Sequence, residues 1–131
     1  MGWLIALLMA LAVAPAPAAA DATIVVEATR LVPEVFATVT GQRVDFVNRS
    51  QHAVHVEFGG DGREHHVVQM PAGGPIWAIF HRPGTHPYVV HVYDGRRTRA
   101  LSGVVDVGED ETHTWDSQTC GVIVMGECIE P

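Results

Sequence analysis

Histidine is the residue type that gives this 131-residue chain most of its capacity for chemistry. The chain has eight histidines, only two cysteines and no lysine. Imidazole nitrogens bind Cu(II), Zn(II) and Ni(II) without any sulfur ligand. A divalent-metal site built from histidines is therefore one functional hypothesis, and plain surface histidines are the alternative. The candidates are His52, His55, His65, His66, His81, His86, His91 and His113.

The two cysteines, Cys120 and Cys128, lie close together near the C-terminus. A close pair of this kind in an exported protein most often forms a disulfide, which predicts a Cys120–Cys128 bridge. The alternative is a soft metal site in which Met125 joins both sulfurs, a ligand set that suits Cu(I).

The first 20 residues have the composition of an export signal. They carry no charged side chain, contain a long apolar run and end in three alanines, Ala18 to Ala20. This pattern predicts a signal peptide over residues 1–20, cleaved before Asp21, and a periplasmic or secreted protein with no stable membrane anchor after cleavage. An uncleaved anchor is the alternative, because the run is almost long enough to span a bilayer.

The remaining chain is long enough for one hydrophobic core, and we expect a domain over residues 21–107 and an acidic tail over residues 108–131. The formal net charge of −7 argues against nucleic-acid binding, which needs a positive field. The sequence has no nucleophile elbow, no phosphate-binding glycine loop and no metalloprotease helix motif. Because these catalytic motifs are missing, we do not expect an enzyme.

Apolar residues alternate with polar ones over short segments that are separated by glycine-rich and proline-rich turns. This period of two predicts strands over residues 23–28, 35–40, 43–47, 53–58, 66–70, 76–81, 86–93 and 101–107. No segment between them has a helical stripe of useful length. About seven to eight short strands predict an all-β, antiparallel Greek-key sandwich or small barrel.

Three segments together resemble the cupredoxins, the family of blue copper proteins and their relatives. They are Gly41-Gln42-Arg43-Val44-Asp45-Phe46-Val47-Asn48 followed by His52, then Pro83-Gly84-Thr85-His86-Pro87-Tyr88, and finally Ser102-Gly103 before the last strand. The resemblance covers about residues 23–107 and implies a cupredoxin-like fold. His52 matches the first histidine ligand of the family, two positions closer to the asparagine than is usual, so His55 is its rival.

The other three ligand positions of the family do not carry ligands here. Val90 stands at the position of the cysteine, Tyr93 at that of the second histidine and Leu101 at that of the methionine. The resemblance therefore implies a degenerate member of the family. A blue copper centre is not expected, because its short thiolate bond has no donor.

A sulfur-free metal site remains a hypothesis, with His52 and His91 as the best pair, His55 as the third residue, and copper or zinc as the ion. Strand parity complicates it, because side chains alternate between the faces of a sheet. If Val90 points inward, His91 points outward, and His52 and His55 face opposite sides. The adjacent pair His65 and His66 is a second, looser candidate.

The segment 94–99 concentrates three arginines, Arg96, Arg97 and Arg99, in an acidic protein. Such a loop could recognise a carboxylate or phosphate group on an unknown protein partner, and a polar hairpin turn is the alternative.

The sequence leaves two functional hypotheses. One is a cupredoxin-like protein that binds copper or another divalent metal through histidines, and the other is a metal-free scaffold that binds a protein or a surface.

Overall fold

The computed structural model describes residues 22–59, 66–70, 74–112 and 120–130, which are almost entirely strands and turns. The eleven strands are β1 (Thr23–Val26), β2 (Leu31–Val32), β3 (Val35–Val39), β4 (Arg43–Asn48), β5 (Ala53–Phe58), β6 (His66–Met70), β7 (Ile76–Phe80), β8 (Gly84–Tyr93), β9 (Thr98–Gly108), β10 (Val122–Val124) and β11 (Glu127–Glu130). The described part contains no helix long and apolar enough to cross a membrane. The predicted signal segment, residues 1–20, lies outside the described residues.

The strands form two sheets that pack as a sandwich. The six-stranded sheet has the order β11-β10-β7-β4-β1-β2, and the five-stranded sheet has the order β3-β9-β8-β5-β6. The predicted all-β sandwich is confirmed, and each of the eight predicted strands is present. Most neighbours are antiparallel, whereas β1 pairs with β4 and β3 pairs with β9 in parallel. The structure has three further strands, β2, β10 and β11. They contain only two to four residues, which is too short for a period of two to be recognised.

The core lies between the inner faces of the two sheets, where every second residue is buried. In β5 the buried residues are Val54, Val56 and Phe58, and in β8 they are Tyr88, Val90 and Val92. The ring of Phe46 packs edge-on against both Phe58 and Tyr88, with centroid distances of 5.7 and 5.3 Å. This alternation fixes which side chains of β5 and β8 face outward.

Three connections meet at one end of the sandwich, which we call the upper end: residues 27–30, 49–52 and 94–97. Their proximity follows from the strand register, because Val26 pairs with Asn48 and Ala53 pairs with Tyr93. The connections 40–42, 81–83 and 109–112 lie at the opposite, lower end. The upper end is where the fold brings together His52 and the predicted arginine loop.

The tail adds a hairpin to the six-stranded sheet. β10 pairs with β7 and β11 pairs with β10, so the tail extends the sheet at its β7 edge. The predicted disulfide is confirmed, since Cys120 and Cys128 are bonded with an S–S distance of 2.00 Å. Neither sulfur is a thiolate, and the alternative Cu(I) site with Met125 is wrong.

Candidate functional site

The positions that carry copper ligands in the cupredoxins hold no donor set for that metal. Val90 is fully buried in the core, Leu101 is partly buried against it, and the ring of Tyr93 is 37% exposed on the outer face. Two of these residues offer only hydrocarbon, which binds no metal. The residues do not fit a type 1 copper centre, and we derive no chemistry through one.

His52 lies in the connection between β4 and β5 at the upper end. Its backbone carbonyl accepts a hydrogen bond from Asn48 Nδ2 at 2.9 Å, and its backbone N–H donates to Ser50 Oγ at 3.1 Å. Gln51 adopts a left-handed φ of 65° in the same turn. These bonds hold the backbone of the loop, and the half-buried imidazole of His52 lies close enough to Asp94 to affect its ionisation.

His55 and His91 are brought together on the outer face of the five-stranded sheet. They are direct partners in the register of β5 and β8, and the Cβ atoms of such a pair are separated by roughly 4.5–5.5 Å. Both side chains are half-buried. Because Val90 points into the core, His91 points outward as parity requires, and His55 shares its face.

Each of these two histidines has a polar neighbour on the same face. His91 Nε2 lies 2.8 Å from Glu57 Oε2, and His55 Nδ1 lies 3.1 Å from the Tyr93 hydroxyl oxygen. The rings of His55 and Tyr93 also pack edge-on with a centroid distance of 5.0 Å. A row of four polar side chains therefore lies across two adjacent strands: Tyr93, His55, His91 and Glu57.

The contact with Glu57 decides which ring nitrogen of His91 is available. The Nε2–H of His91 donates to the Glu57 carboxylate, which leaves Nδ1 as a lone-pair donor. When His55 Nδ1–H donates to the Tyr93 oxygen, Nε2 of His55 is the free nitrogen. A carboxylate behind a ligand histidine is the usual arrangement in metal sites, because it fixes the tautomer and raises the basicity of the ring.

His52 does not belong to this pair. Its place is in the upper-end loop, three residues before His55 and outside the row on the outer face. The ranges 22–59, 66–70, 74–112 and 120–130 contain no group of three or more His, Cys, Asp and Glu side chains that could hold a metal ion. Of the three predicted residues, the structure brings together only His55 and His91.

Glu57 and Tyr93 are the residues that sequence reasoning missed. Each lies two positions after one of the histidines, His55 or His91, on the same strand, and the period of two places it on the same face. The signal was available in the paired patterns His-x-Glu and His-x-Tyr. The sequence does not show that β5 pairs with β8 in the register that places His55 opposite His91.

Among the described residues, the remaining histidines form no second cluster. His86 Nε2 lies 2.7 Å from the carbonyl oxygen of Arg82, and the ring packs against Phe80 beside a lower-end cavity of about 390 Å³. Glu130 also lines this cavity. The hypothesis for His65 and His66 falls on side chains outside the described residues.

The predicted arginine loop is a tight hairpin turn between β8 and β9. Asp94 Oδ1 accepts hydrogen bonds from the backbone N–H groups of Arg96 and Arg97, each at 2.9 Å, and Gly95 has a φ of 89°. These bonds lower the pKa of Asp94, and the charges of Arg97 and His52 add to the effect. The side chains of Arg96 and Arg97 are exposed, whereas Arg99 is half-buried.

Comparison with known proteins identifies the fold. No protein-family model matches the sequence, and no curated protein matches it. Among solved structures, a Cu-containing nitrite reductase from Thermus scotoductus SA-01 is similar with a TM-score of 0.51 and 21% identity. The match covers 74% of this chain and 24% of that one. The predicted cupredoxin-like fold is confirmed, and at this identity the likeness establishes the fold alone.

Proposed function

We propose that this chain is an exported cupredoxin-like protein that binds Cu(II) or Zn(II) through His55 and His91. The observation that carries the proposal is the His91–Glu57 contact of 2.8 Å beside a directly opposed second histidine. The binding position lies on the outer face of the five-stranded sheet. It is distinct from the end of the sandwich at which the resemblance would have located copper.

The chemistry of the pair favours copper over zinc. Two imidazoles and a nearby carboxylate suit Cu(II), and for a given set of nitrogen and oxygen donors Cu(II) binds more tightly than Zn(II). Glu57 supplies negative charge next to the incoming cation. Two protein nitrogens leave the other ligand positions to water, so we expect weaker binding than at a closed structural site with four protein ligands.

Export is supported by two independent features. The disulfide between Cys120 and Cys128 is typical of proteins that reside outside a reducing cytoplasm. The uncharged segment 1–20 with its alanine-rich end has the composition of a signal peptide. Mass spectrometry of the protein recovered from the periplasm or the medium should give a chain that begins at Asp21, and an N-terminus at Met1 would contradict cleavage.

The metal proposal is tested by calorimetric titration of the untagged mature chain with CuCl₂ and ZnCl₂. We expect one Cu(II) per chain, and a loss of affinity of at least tenfold in His55→Ala and in His91→Ala, since each removes one of two ligand nitrogens. His52→Ala is the matched control, because it deletes an imidazole and leaves the pair intact.

Two outcomes would reject the metal proposal. One is the absence of saturable binding, and the other is an equal loss of affinity in His52→Ala. Either result would favour the metal-free scaffold that the sequence also allows, in which the sheet serves as a protein-binding module.

A further inference from the structure

Formal charge is distributed very unevenly between the two ends of the sandwich. The upper end, together with Arg99 near the start of β9, carries five arginines and two carboxylates, a formal net charge of +3. Its arginines are Arg30, Arg49, Arg96, Arg97 and Arg99. The rest of the described chain carries two arginines and nine carboxylates, a formal net charge of −7. An acidic protein therefore presents one distinctly basic surface.

The two carboxylates at the upper end are engaged by neighbouring groups. Asp94 accepts backbone hydrogen bonds from Arg96 and Arg97, and Glu27 forms an ion pair with Arg30. Asp94 therefore holds the turn and helps to fix the backbone from which the two exposed guanidinium groups project. A surface whose backbone is fixed before binding loses less conformational entropy when a ligand binds.

The two arginines outside the upper end are used differently. Arg43 Nε lies 2.8 Å from Asp45 Oδ1 and its guanidinium packs over the ring of Trp77, while Arg82 Nη1 lies 3.5 Å from Glu130 Oε2. Each is therefore placed beside a carboxylate of its own sheet. Variants of Arg43 and Arg82 therefore serve as charge-matched controls for variants of the exposed pair Arg96 and Arg97.

We propose that the upper end binds an acidic patch on a partner protein, with Arg96 and Arg97 contacting its carboxylates. Guanidinium groups recognise carboxylates through paired, charge-assisted hydrogen bonds. The charge separation along the molecule also orients the upper end toward an anionic partner during diffusional encounter. This inference is independent of metal binding at His55 and His91.

A compact acidic protein patch fits this surface better than a nucleic acid or an anionic bilayer does. Exposed charges are screened over about 8–10 Å at ordinary ionic strength, so a compact patch at the upper end is exposed mainly to the local positive charge. An extended polyanion or a flat membrane continues past the upper end. It would then be repelled by the −7 of the remaining described residues.

The proposal is tested with a fluorescein-labelled octaglutamate peptide added to the full mature chain in EDTA at low salt, followed by fluorescence anisotropy. We expect saturable binding that weakens as NaCl is raised. In the double variant Arg96→Gln/Arg97→Gln, affinity should fall about fivefold to tenfold, which corresponds to the loss of two exposed ion pairs.

The matched control is the double variant Arg43→Gln/Arg82→Gln, which removes the same charge at the other end and should change affinity less than twofold. Circular dichroism must show the same spectrum for both variants, and Arg49→Gln provides a second upper-end variant if either fails to fold. Equal weakening by both double variants, or no binding of octaglutamate, would overturn the proposal. Tighter binding of an oligothymidylate or of phosphatidylserine vesicles would overturn the assignment to an acidic protein.

Discussion

Tyr88 is the residue whose environment departs most from the usual rules of burial. It is 1% exposed, and its hydroxyl has no hydrogen-bond partner among the described residues. Burial raises the pKa of this phenol well above its ordinary range, and the charge of Glu34 adds to the shift. The ring stabilises the core because it packs against Phe46. The unpaired hydroxyl oxygen lowers the stability of the fold, because it is removed from water without gaining a hydrogen bond.

Replacing Tyr88 with phenylalanine keeps the ring and removes the unpaired oxygen. We expect Tyr88→Phe to raise the free energy of unfolding by about 1 kcal/mol, since an unsatisfied buried polar group costs about that much. Urea denaturation followed by circular dichroism measures the change. Tyr93→Phe is the comparison and should not gain stability, because it removes a hydroxyl that lies 3.1 Å from His55 Nδ1. A loss of stability in Tyr88→Phe would show that the hydroxyl has a partner, such as a buried water.

At the same scale, the sequence indicated part of the candidate site. It named His52 and His91 as the best pair and His55 as the third residue, because of their types and their positions relative to the family frame. It could not exclude His52, because whether a loop residue joins a strand pair depends on the path of the turn at Gln51. It missed Glu57 and Tyr93, because their roles depend on the register between β5 and β8.

β9 must come very close to β8 at the point where Gly103 pairs with Tyr88. A Cβ atom at Gly103 would lie 2.4 Å from Cζ and Oη of Tyr88 and 2.8 Å from Leu31 Cδ1. The tyrosine ring therefore occupies the space that a side chain would need. This contact gives a physical reason for the Ser102-Gly103 step that formed part of the family resemblance.

Gly103→Ala should therefore destabilise the fold by about 1–3 kcal/mol, the usual range for overpacking in a core. The control lies on the same strand: a Cβ at Gly108 would have an ordinary contact of 3.6 Å with the Thr38 carbonyl oxygen. Thermal unfolding compares the two variants. A Gly103→Ala protein as stable as Gly108→Ala would mean that β8 and β9 can separate at this point without cost.

The turn between β8 and β9 should give stability that depends on pH. Hydrogen bonds from the backbone N–H groups of Arg97 and Arg96 lower the pKa of Asp94 in the folded state, so its carboxylate favours folding. That contribution is fully present above the unfolded pKa of about 3.9, and it is lost as pH falls through the lower folded value.

Asp94→Asn should therefore have a lower melting temperature than the wild type at pH 7 and the same melting temperature near pH 2. Glu109→Gln, which also neutralises one exposed carboxylate, is the control at both pH values. A difference that persists unchanged at pH 2 would show that the charge of Asp94 does not stabilise the turn.

At the scale of elements, the sequence predicted the eight strands with long alternating patterns and missed three. β2 has only two residues, so a period cannot be recognised in it. β10 and β11 are strands of three and four residues, too short for an alternating pattern to indicate them. The parallel pairing of β3 with β9 joins residues far apart in the chain, and local patterning carries no information about such a contact.

For the molecule as a whole, the tail hairpin extends the six-stranded sheet and the disulfide restrains it. Removing both sulfurs with Cys120→Ser/Cys128→Ser should lower the free energy of unfolding by about 2–3 kcal/mol. The reason is that the unfolded chain regains the conformational entropy that closing this short loop removes. Denaturation of the wild type with and without a reducing agent is the companion measurement. Equal stability in all cases would show that the hairpin forms without its crosslink.

The two proposed binding sites lie in different parts of the molecule. Two positions that carry copper ligands in the cupredoxins are apolar here, at Val90 and Leu101, while the histidine pair lies on the outer face of one sheet and the basic surface lies at the upper end. Because the proposed metal position lies outside the core, the fold does not depend on an ion for its packing. Metal binding and partner binding can therefore be tested separately in one folded protein.

The location of bound copper is the most direct test of the central claim. Paramagnetic Cu(II) broadens nearby signals, so substoichiometric CuCl₂ added to ¹⁵N-labelled mature protein should first remove the amide signals around His55 and His91. Signals of the adjacent strands at Gln69 and Ala100, which lie opposite these residues in the register, should follow. Selective loss around residues 48–52, or equal loss across the whole spectrum, would contradict a metal position at the His55–His91 pair.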